Sequence, residues 1–247
     1  MPQLLTSFLS LTVERERNAN KGIIGRTYMR KITIIHTVRQ GYLRLGDEIC
    51  AEIPEVAIAN ILDDELAREA VEYGITAHLT NRFLLAAKLA ESIHPELIVC
   101  ACTSMIPLID VVRPFLQVPI ILIDDELHRQ APSMGNRVAI FATAVSALLP
   151  TKEKYEAEVR AQGAGPKEIS TFVCPKANEY MRNGDIEAHD RLVLEAANKI
   201  KNVDVIILAQ YSMAHLANQI EKICGCPVMG SGKYCIEEIK QILKSNN

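Results

Sequence analysis

Cys102 is the residue whose type and setting best fit it for chemistry. It ends an extended apolar run, Ile98-Val-Cys-Ala-Cys102. Thr103 and Ser104 follow it, and Pro107 falls in the first turn of an expected helix. Proline is tolerated there because the first helical N–H groups have no partner within the helix. Serine is a favoured cap, so Ser104 is expected to cap this helix. A thiol at such a boundary meets unpaired N–H groups and the positive end of the helix dipole, and both favour thiolate. The same N–H groups, with the hydroxyls of Thr103 and Ser104, suit a substrate carboxylate. The competing reading is a buried core thiol.

Other residues gain interest from an internal repeat. Lys31-Ile-Thr-Ile-Ile-His-Thr37 matches Arg137-Val-Ala-Ile-Phe-Ala-Thr143 at an offset of 106. Val99-Cys-Ala-Cys-Thr-Ser-Met105 matches Ile207-Leu-Ala-Gln-Tyr-Ser-Met213 at 108, and Val118-Pro119 matches Cys226-Pro227 at 108 again. Three blocks in order at a nearly constant offset predict two similar halves. Gln210 is then the counterpart of Cys102, and the two are expected to face each other across a cleft. An amide does not exchange protons at neutral pH, but it donates hydrogen bonds. Tyr211 and Ser212 follow it as candidate substrate binders. His36, at the end of the first strand, is a natural proton carrier. Thr37 and Thr143 end paired strands and can bind a carboxylate, although threonine is also an ordinary strand former.

These side chains need a scaffold that brings strand ends together. Short Ile- and Val-rich runs near 31–37, 55–62, 96–102, 118–123, 137–143, 168–174, 203–209 and 226–229 read as buried parallel strands. Helical periodicity runs through Leu79, Phe83, Ala86, Ala87, Ala90 and Ile93, and again from Ile186 to Ile200. The fold class is therefore α/β: two similar halves, each a parallel sheet flanked by helices, with the active-site cleft between them. The halves are read as 30–135 and 136–247, with room for a C-terminal helix to cross over. Residues 1–29 are read as an N-terminal extension. The restart at Met29-Arg30-Lys31, just before a strong strand, suggests an appended or mis-started leader.

Composition narrows the classes. The chain has 247 residues, a net charge of −3 and no Trp. No basic run supports nucleic-acid binding, and no apolar stretch reaches the roughly 20 residues needed to span a bilayer. Seven cysteines, an odd number, point to reduced thiols in a cytoplasmic protein. No His/Cys set has zinc spacing, so no metal is expected. Gly230-Ser-Gly-Lys233 falls short of a phosphate loop, because Pro227 and Tyr234 replace its required Gly and Ser or Thr. Cys174, before Pro175, reads as a core thiol, and His215 as a helix residue turned from the cleft. Asp124-Asp125-Glu126 read as acids opening a helix. His189-Asp190-Arg191 read as a solvated face.

Taken together, the blocks around Cys102, Gly135–Thr143 and Val205–Met213 resemble the aspartate/glutamate/hydantoin racemase superfamily over about residues 30–243. The resemblance implies a pseudo-symmetric enzyme without cofactor. One cysteine removes the α-proton of a small carboxylate substrate, and a second cysteine returns a proton to the opposite face. This chain departs from the pattern at Gln210, the second cysteine position. A single-cysteine decarboxylase and a non-catalytic carboxylate-binding protein are the alternatives. The expected partner is a small carboxylate, with no nucleic acid and no membrane, and a homo-oligomer is compatible with the reading.

Overall fold

A computed structural model of the chain describes residues 30–39 and 42–245. The N-terminal extension lies outside the described residues. Eight strands form two parallel four-stranded sheets. The first holds β1 (Arg30–His36), β2 (Val56–Leu62), β3 (Leu97–Cys100) and β4 (Ile120–Leu122) in the order β2-β1-β3-β4. The second holds β5 (Arg137–Ala142), β6 (Glu168–Val173), β7 (Val205–Leu208) and β8 (Val228–Met229) in the order β6-β5-β7-β8. The expected strands all form, and the two sheets share one topology. The central strands Leu97–Cys100 and Val205–Leu208 are buried throughout. That explains their continuous apolar runs, since helices cover both faces of a parallel sheet.

The helices repeat as well. α1 (Tyr42–Glu52), α2 (Asp64–Tyr73), α3 (Ala77–Ser92), α4 (Ile106–Val112) and α5 (Asp125–Gln130) accompany the first sheet in the chain. α6 (Val145–Ala161), α7 (Pro175–Arg182), α8 (Ile186–Ala197), α9 (Ala217–Cys224) and α10 (Ser231–Ser245) accompany the second. Several starts are fixed by side-chain caps. Asp63 accepts from Glu65 N at 3.2 Å, Thr76 from Leu79 N at 3.0 Å and Asp185 from Ala188 N at 3.0 Å. Each such cap satisfies an N–H group that the helix itself cannot.

One face of the first sheet packs on Leu66, Leu79, Phe83 and Leu108 of α2, α3 and α4. Its other face packs on Leu45 and Ile49 of α1 and on Cys235, Ile236, Ile239 and Leu243 of α10. The second sheet packs on Ala177, Val193 and Ile220 on one side, and on Leu148 and Tyr155 of α6 with Leu127 of α5 on the other. The last helix of each repeat thus lies on the sheet of the other. Arg129 of α5 bonds Glu238 of α10 at 2.5 Å where the exchanged helices meet. Ile239 is fully buried in this exchange. Ile239→Ala is expected to cost about 2–5 kcal/mol through lost burial and the cavity left behind. Urea unfolding read at both sheets checks this; a loss below about 1 kcal/mol would show that α10 contributes little to the first sheet.

One local reading is corrected here, that of His189, and two others gain detail. His189 is fully buried and bonds Asp190 Oδ1 at 2.7 Å, because α8 turns it inward, so it is not on a solvated face. Asp124 sits at the cap of α5 without a side-chain capping bond. Asp125 instead turns back to accept from Leu122 N at 2.9 Å. The glycines of the Gly230-Ser-Gly motif serve close packing. A Cβ at Gly232 would come within 3.0 Å of the Tyr211 ring and 3.2 Å of Glu48 Oε2.

Candidate active site

β3 and β7 end at equivalent points, and the chain then turns in the same way in each half. Cys102 (φ −145°, ψ 110°) and Gln210 (φ −145°, ψ 136°) are both extended, and each leads into a tight helical turn. Met105 N donates to Cys102 O at 3.0 Å, and Met213 N to Gln210 O at 3.1 Å. In the first half this turn takes up Thr103–Met105 before α4 begins, so the cap position falls on Met105. Ser104 is therefore not the cap. Its hydroxyl reaches the other half instead and donates to Ser146 Oγ of α6 at 3.3 Å.

A cavity of about 400 Å³ lies at these strand ends. His36, Thr37, Cys102, Thr103 and Ser104 line it from the first half, and Gln210, Tyr211 and Ser212 from the second. Thr143 does not line it. Fully buried, Thr143 donates its N–H at 2.7 Å and its hydroxyl at 3.0 Å to Gln210 Oε1, and Ala144 N donates to the same oxygen at 3.0 Å. Three donors hold the amide oxygen against the start of α6. The Nε2 end of Gln210 is left as a donor to the cavity, and the N–H groups of Thr143 and Ala144, just before α6, are occupied by protein. The hydroxyls of Thr37 and Ser212, one from each half, are buried in the same cavity with no protein partner. A buried hydroxyl left unpaired costs free energy, and a polar ligand group would relieve it.

The thiol of Cys102 is half-buried, and burial pushes it up from its ordinary 9.0. Thr37 Oγ1, which faces the sulfur without a formed hydrogen bond, opposes that rise, as do the N–H groups of Ser104 and Met105. The Asp124 carboxylate behind it adds to the rise. The thiolate expected from the helix boundary is therefore not the resting form, because loss of water outweighs the favourable dipoles. Thr103 donates to Asp124 Oδ2 at 2.8 Å, which fixes the residue beside the thiol; burial pushes the Asp124 carboxyl up in turn. His36 is almost fully buried, which lowers it and keeps it neutral at pH 7. Its Nε2 meets Asn60 Oδ1 of β2 at 2.9 Å. An acceptor there puts the proton on Nε2 and leaves Nδ1 as the basic nitrogen.

The mouth of the cavity carries charge that sequence reasoning did not single out. Arg39, Asp64 and Arg68 come from the first half, and Asn178 and Arg182 from α7 of the second. Arg39 lies 3.9 Å from Asp64, and Arg68 pairs with Glu65. Arg182 has no ion-pair partner among the described residues. Asp64 and Arg68 are one turn apart on α2, as Asn178 and Arg182 are on α7. That spacing was visible in the sequence, but not which helix face meets the cleft. Asn60 and Ser146 carried no signal. Cys174 and His215 do not line the cavity; Cys174 Sγ donates to Leu192 O at 3.9 Å, and His215 pairs with Asp190 at 2.7 Å. Among the described residues, no group of three His, Cys, Asp or Glu side chains could hold a metal ion, and no helix is long and apolar enough to cross a membrane.

Comparison with known proteins gives a consistent result. The sequence model described as Asp/Glu/Hydantoin racemase matches residues 50–239. No curated protein matches the chain. Among solved structures, a glutamate racemase from Bacillus anthracis is similar with a TM-score of 0.69 at 17% identity, covering 89% of this chain and 84% of that one. An aspartate racemase from Picrophilus torridus gives 0.60 at 18%, covering 87% and 94%. An allantoin racemase from Klebsiella pneumoniae gives 0.57 at 16%, covering 88% and 89%. At these identities the likeness is one of fold.

Proposed function

Because the chain belongs to the Asp/Glu/Hydantoin racemase family, we propose that it is a cofactor-independent isomerase that moves a proton at the α-carbon of a small carboxylate. The observation that carries this reading is the single cavity joining Cys102 to hydroxyl and amide donors from both halves. Cys102 Sγ, as thiolate, takes the α-proton. The C–H bond breaks, an S–H bond forms, and the electron pair moves into the carboxylate as an enolate. Thr37, Ser212 and the Gln210 amide are placed to donate to that oxygen-rich group, and donors fixed before reaction stabilise the developing charge. His36 Nδ1 is the further basic atom at the strand ends. The seven free thiols suit a reducing compartment, the cytoplasm.

Incubation in deuterium oxide with a panel of amino acids, hydantoins, hydroxy acids and substituted malonates tests the reading. Deuterium entering an α-position is the expected result, and no exchange with any member would sink it. Gln210 favours one further reading. With its oxygen bound by three protein donors, position 210 offers only N–H groups to the substrate. A lyase that loses carbon dioxide and is protonated by Cys102 on one face fits that asymmetry. Carbon dioxide release from the malonates separates the two.

Two expected results follow from the charges. The active form is the thiolate, and burial holds the thiol above its ordinary range. kcat/KM should therefore climb with pH from neutrality through the ordinary thiol range, with a slope near one in logarithmic form. A flat profile between pH 7 and 9 would mean the thiolate is already formed at neutrality. Arg182→Ala should raise KM about tenfold for substrates bearing a second negative group, with kcat nearly unchanged, because the lost interaction is the same in ground and transition states. An unchanged KM would place Arg182 outside the binding path.

A further inference from the structure

Arg44 of α1 belongs to the first half of the chain, yet three of its nitrogens bond to the segment that follows Gln210. Nη2 donates to Tyr211 O at 2.7 Å, Nε to Tyr211 Oη at 3.1 Å, and Nη1 meets His215 Nδ1 at 3.1 Å. Its guanidinium carbon lies 4.3 Å from the centre of the Tyr211 ring. Tyr211 Oη donates in turn to Glu48 Oε2 at 2.8 Å, one turn along α1 from Arg44. Gly232 leaves just enough room on the ring for this arrangement. On the far side, His215 Nε2 meets Asp190 Oδ2 at 2.7 Å. The whole assembly is local to Tyr211, and the cavity function described above makes no use of it.

We propose that Arg44 is a positioning residue that sets the Gln210 side of the site from across the cleft. The side chain of Gln210 is held by the second half, through Thr143 and Ala144. The backbone that follows it is held by the first half, because Arg44 grips the carbonyl of the next residue, Tyr211. The segment that carries Gln210 is thus tied to both halves, and the direction of its Nε2 group depends on both. The Cys102 segment is tied to the other half by one neutral bond, from the Ser104 hydroxyl to Ser146 Oγ at 3.3 Å. The guanidinium fork suits this task, as its donors leave a rigid plane at set angles, whereas an ammonium would hold only one acceptor well.

This inference rests on the proposed proton transfer, and two measurements keep the two ideas apart. The first follows α-proton exchange in deuterium oxide, which uses both the Cys102 thiolate and the Gln210 amide on the developing enolate, in Arg44→Ala with and without Gln210→Ala. Arg44→Ala should lower kcat for exchange by about ten- to a hundredfold, the scale of a slightly misplaced group, but add less than about threefold to the loss in Gln210→Ala, because the two act through one donor. Arg44→Lys should remain impaired in exchange, because an ammonium holds the carbonyl without the fork. A loss in Arg44→Ala that adds in full to that of Gln210→Ala would make Arg44 a structural tie only and overturn the proposal. The second measurement needs no turnover. In protein labelled with 15N-glutamine, the side-chain amide of Gln210, identified by its absence from Gln210→Ala, should shift in Arg44→Lys. An unmoved amide signal also overturns the proposal. If wild type exchanges no α-proton, the functional reading fails, and the amide signal still decides the role of Arg44.

Discussion

Cys102→Ala removes hydrogen–deuterium exchange at the substrate α-carbon, with a loss in kcat/KM of at least about a thousandfold. A positioned acid–base group contributes about 10²–10⁴-fold, and Cys102 is the cavity's one thiol. The change is small in volume, and Sγ makes only weak interactions, so the protein should fold normally. Cys102→Ser is the sharper variant. It keeps a hydroxyl near Thr37 and the N–H groups of Ser104 and Met105, but a serine hydroxyl ionises far less readily than a thiol. Both variants should bind a substrate carboxylate nearly as well as wild type, because the donors are unchanged. Deuterium uptake within about threefold of wild type in Cys102→Ala would show that another base does the work, and His36 Nδ1 would be the next to test.

Gln210→Ala is expected to lower kcat by about 10²–10³-fold, the usual loss when a preorganised donor is removed from a developing anion. The reasoning turns on which end of the amide faces the substrate. Oε1 is held by the N–H groups of Thr143 and Ala144 and by the Thr143 hydroxyl. Gln210→Glu separates structure from chemistry. A carboxylate can accept the same three bonds, so the turn is kept, but it brings no N–H donor and adds a negative charge to the cavity. Its activity should fall at least as far as that of Gln210→Ala, while its stability stays near wild type. An active Gln210→Glu would mean that position 210 only props up Thr143.

Much of this could be read from the chain. The repeat located the two sheets because parallel strands buried on both faces show as unbroken apolar runs, and Leu97–Cys100 and Val205–Leu208 are such runs. It also paired Cys102 with Gln210, since a repeat preserves which strand end leads to which turn. What escaped was anything decided by side-chain direction between distant elements. Ser104 looked like a cap because serine before a helix usually is one, but a three-residue turn shifted the register. Thr143 looked like a ligand donor, and its donors are in fact committed to Gln210. His189 looked exposed beside charged neighbours, yet helical phase put it in the core. The thiol of Cys102 shows the same limit in energetic form. The sequence displays the dipoles that favour a thiolate, while the desolvation that outweighs them exists only once the chain is packed.

The exchange of α5 and α10 between the sheets bears on how the protein comes off the ribosome. β4 is made early, but Ile236, Ile239 and Leu243, which cover one face of its sheet, follow it by well over a hundred residues. At about 5–20 residues per second, that face waits on the order of 10 seconds for its cover. The first repeat therefore spends much of synthesis as a sheet with one apolar side covered only by α1, a natural client for a holding chaperone. The second repeat never faces this delay, since α5 is already made when β5 emerges.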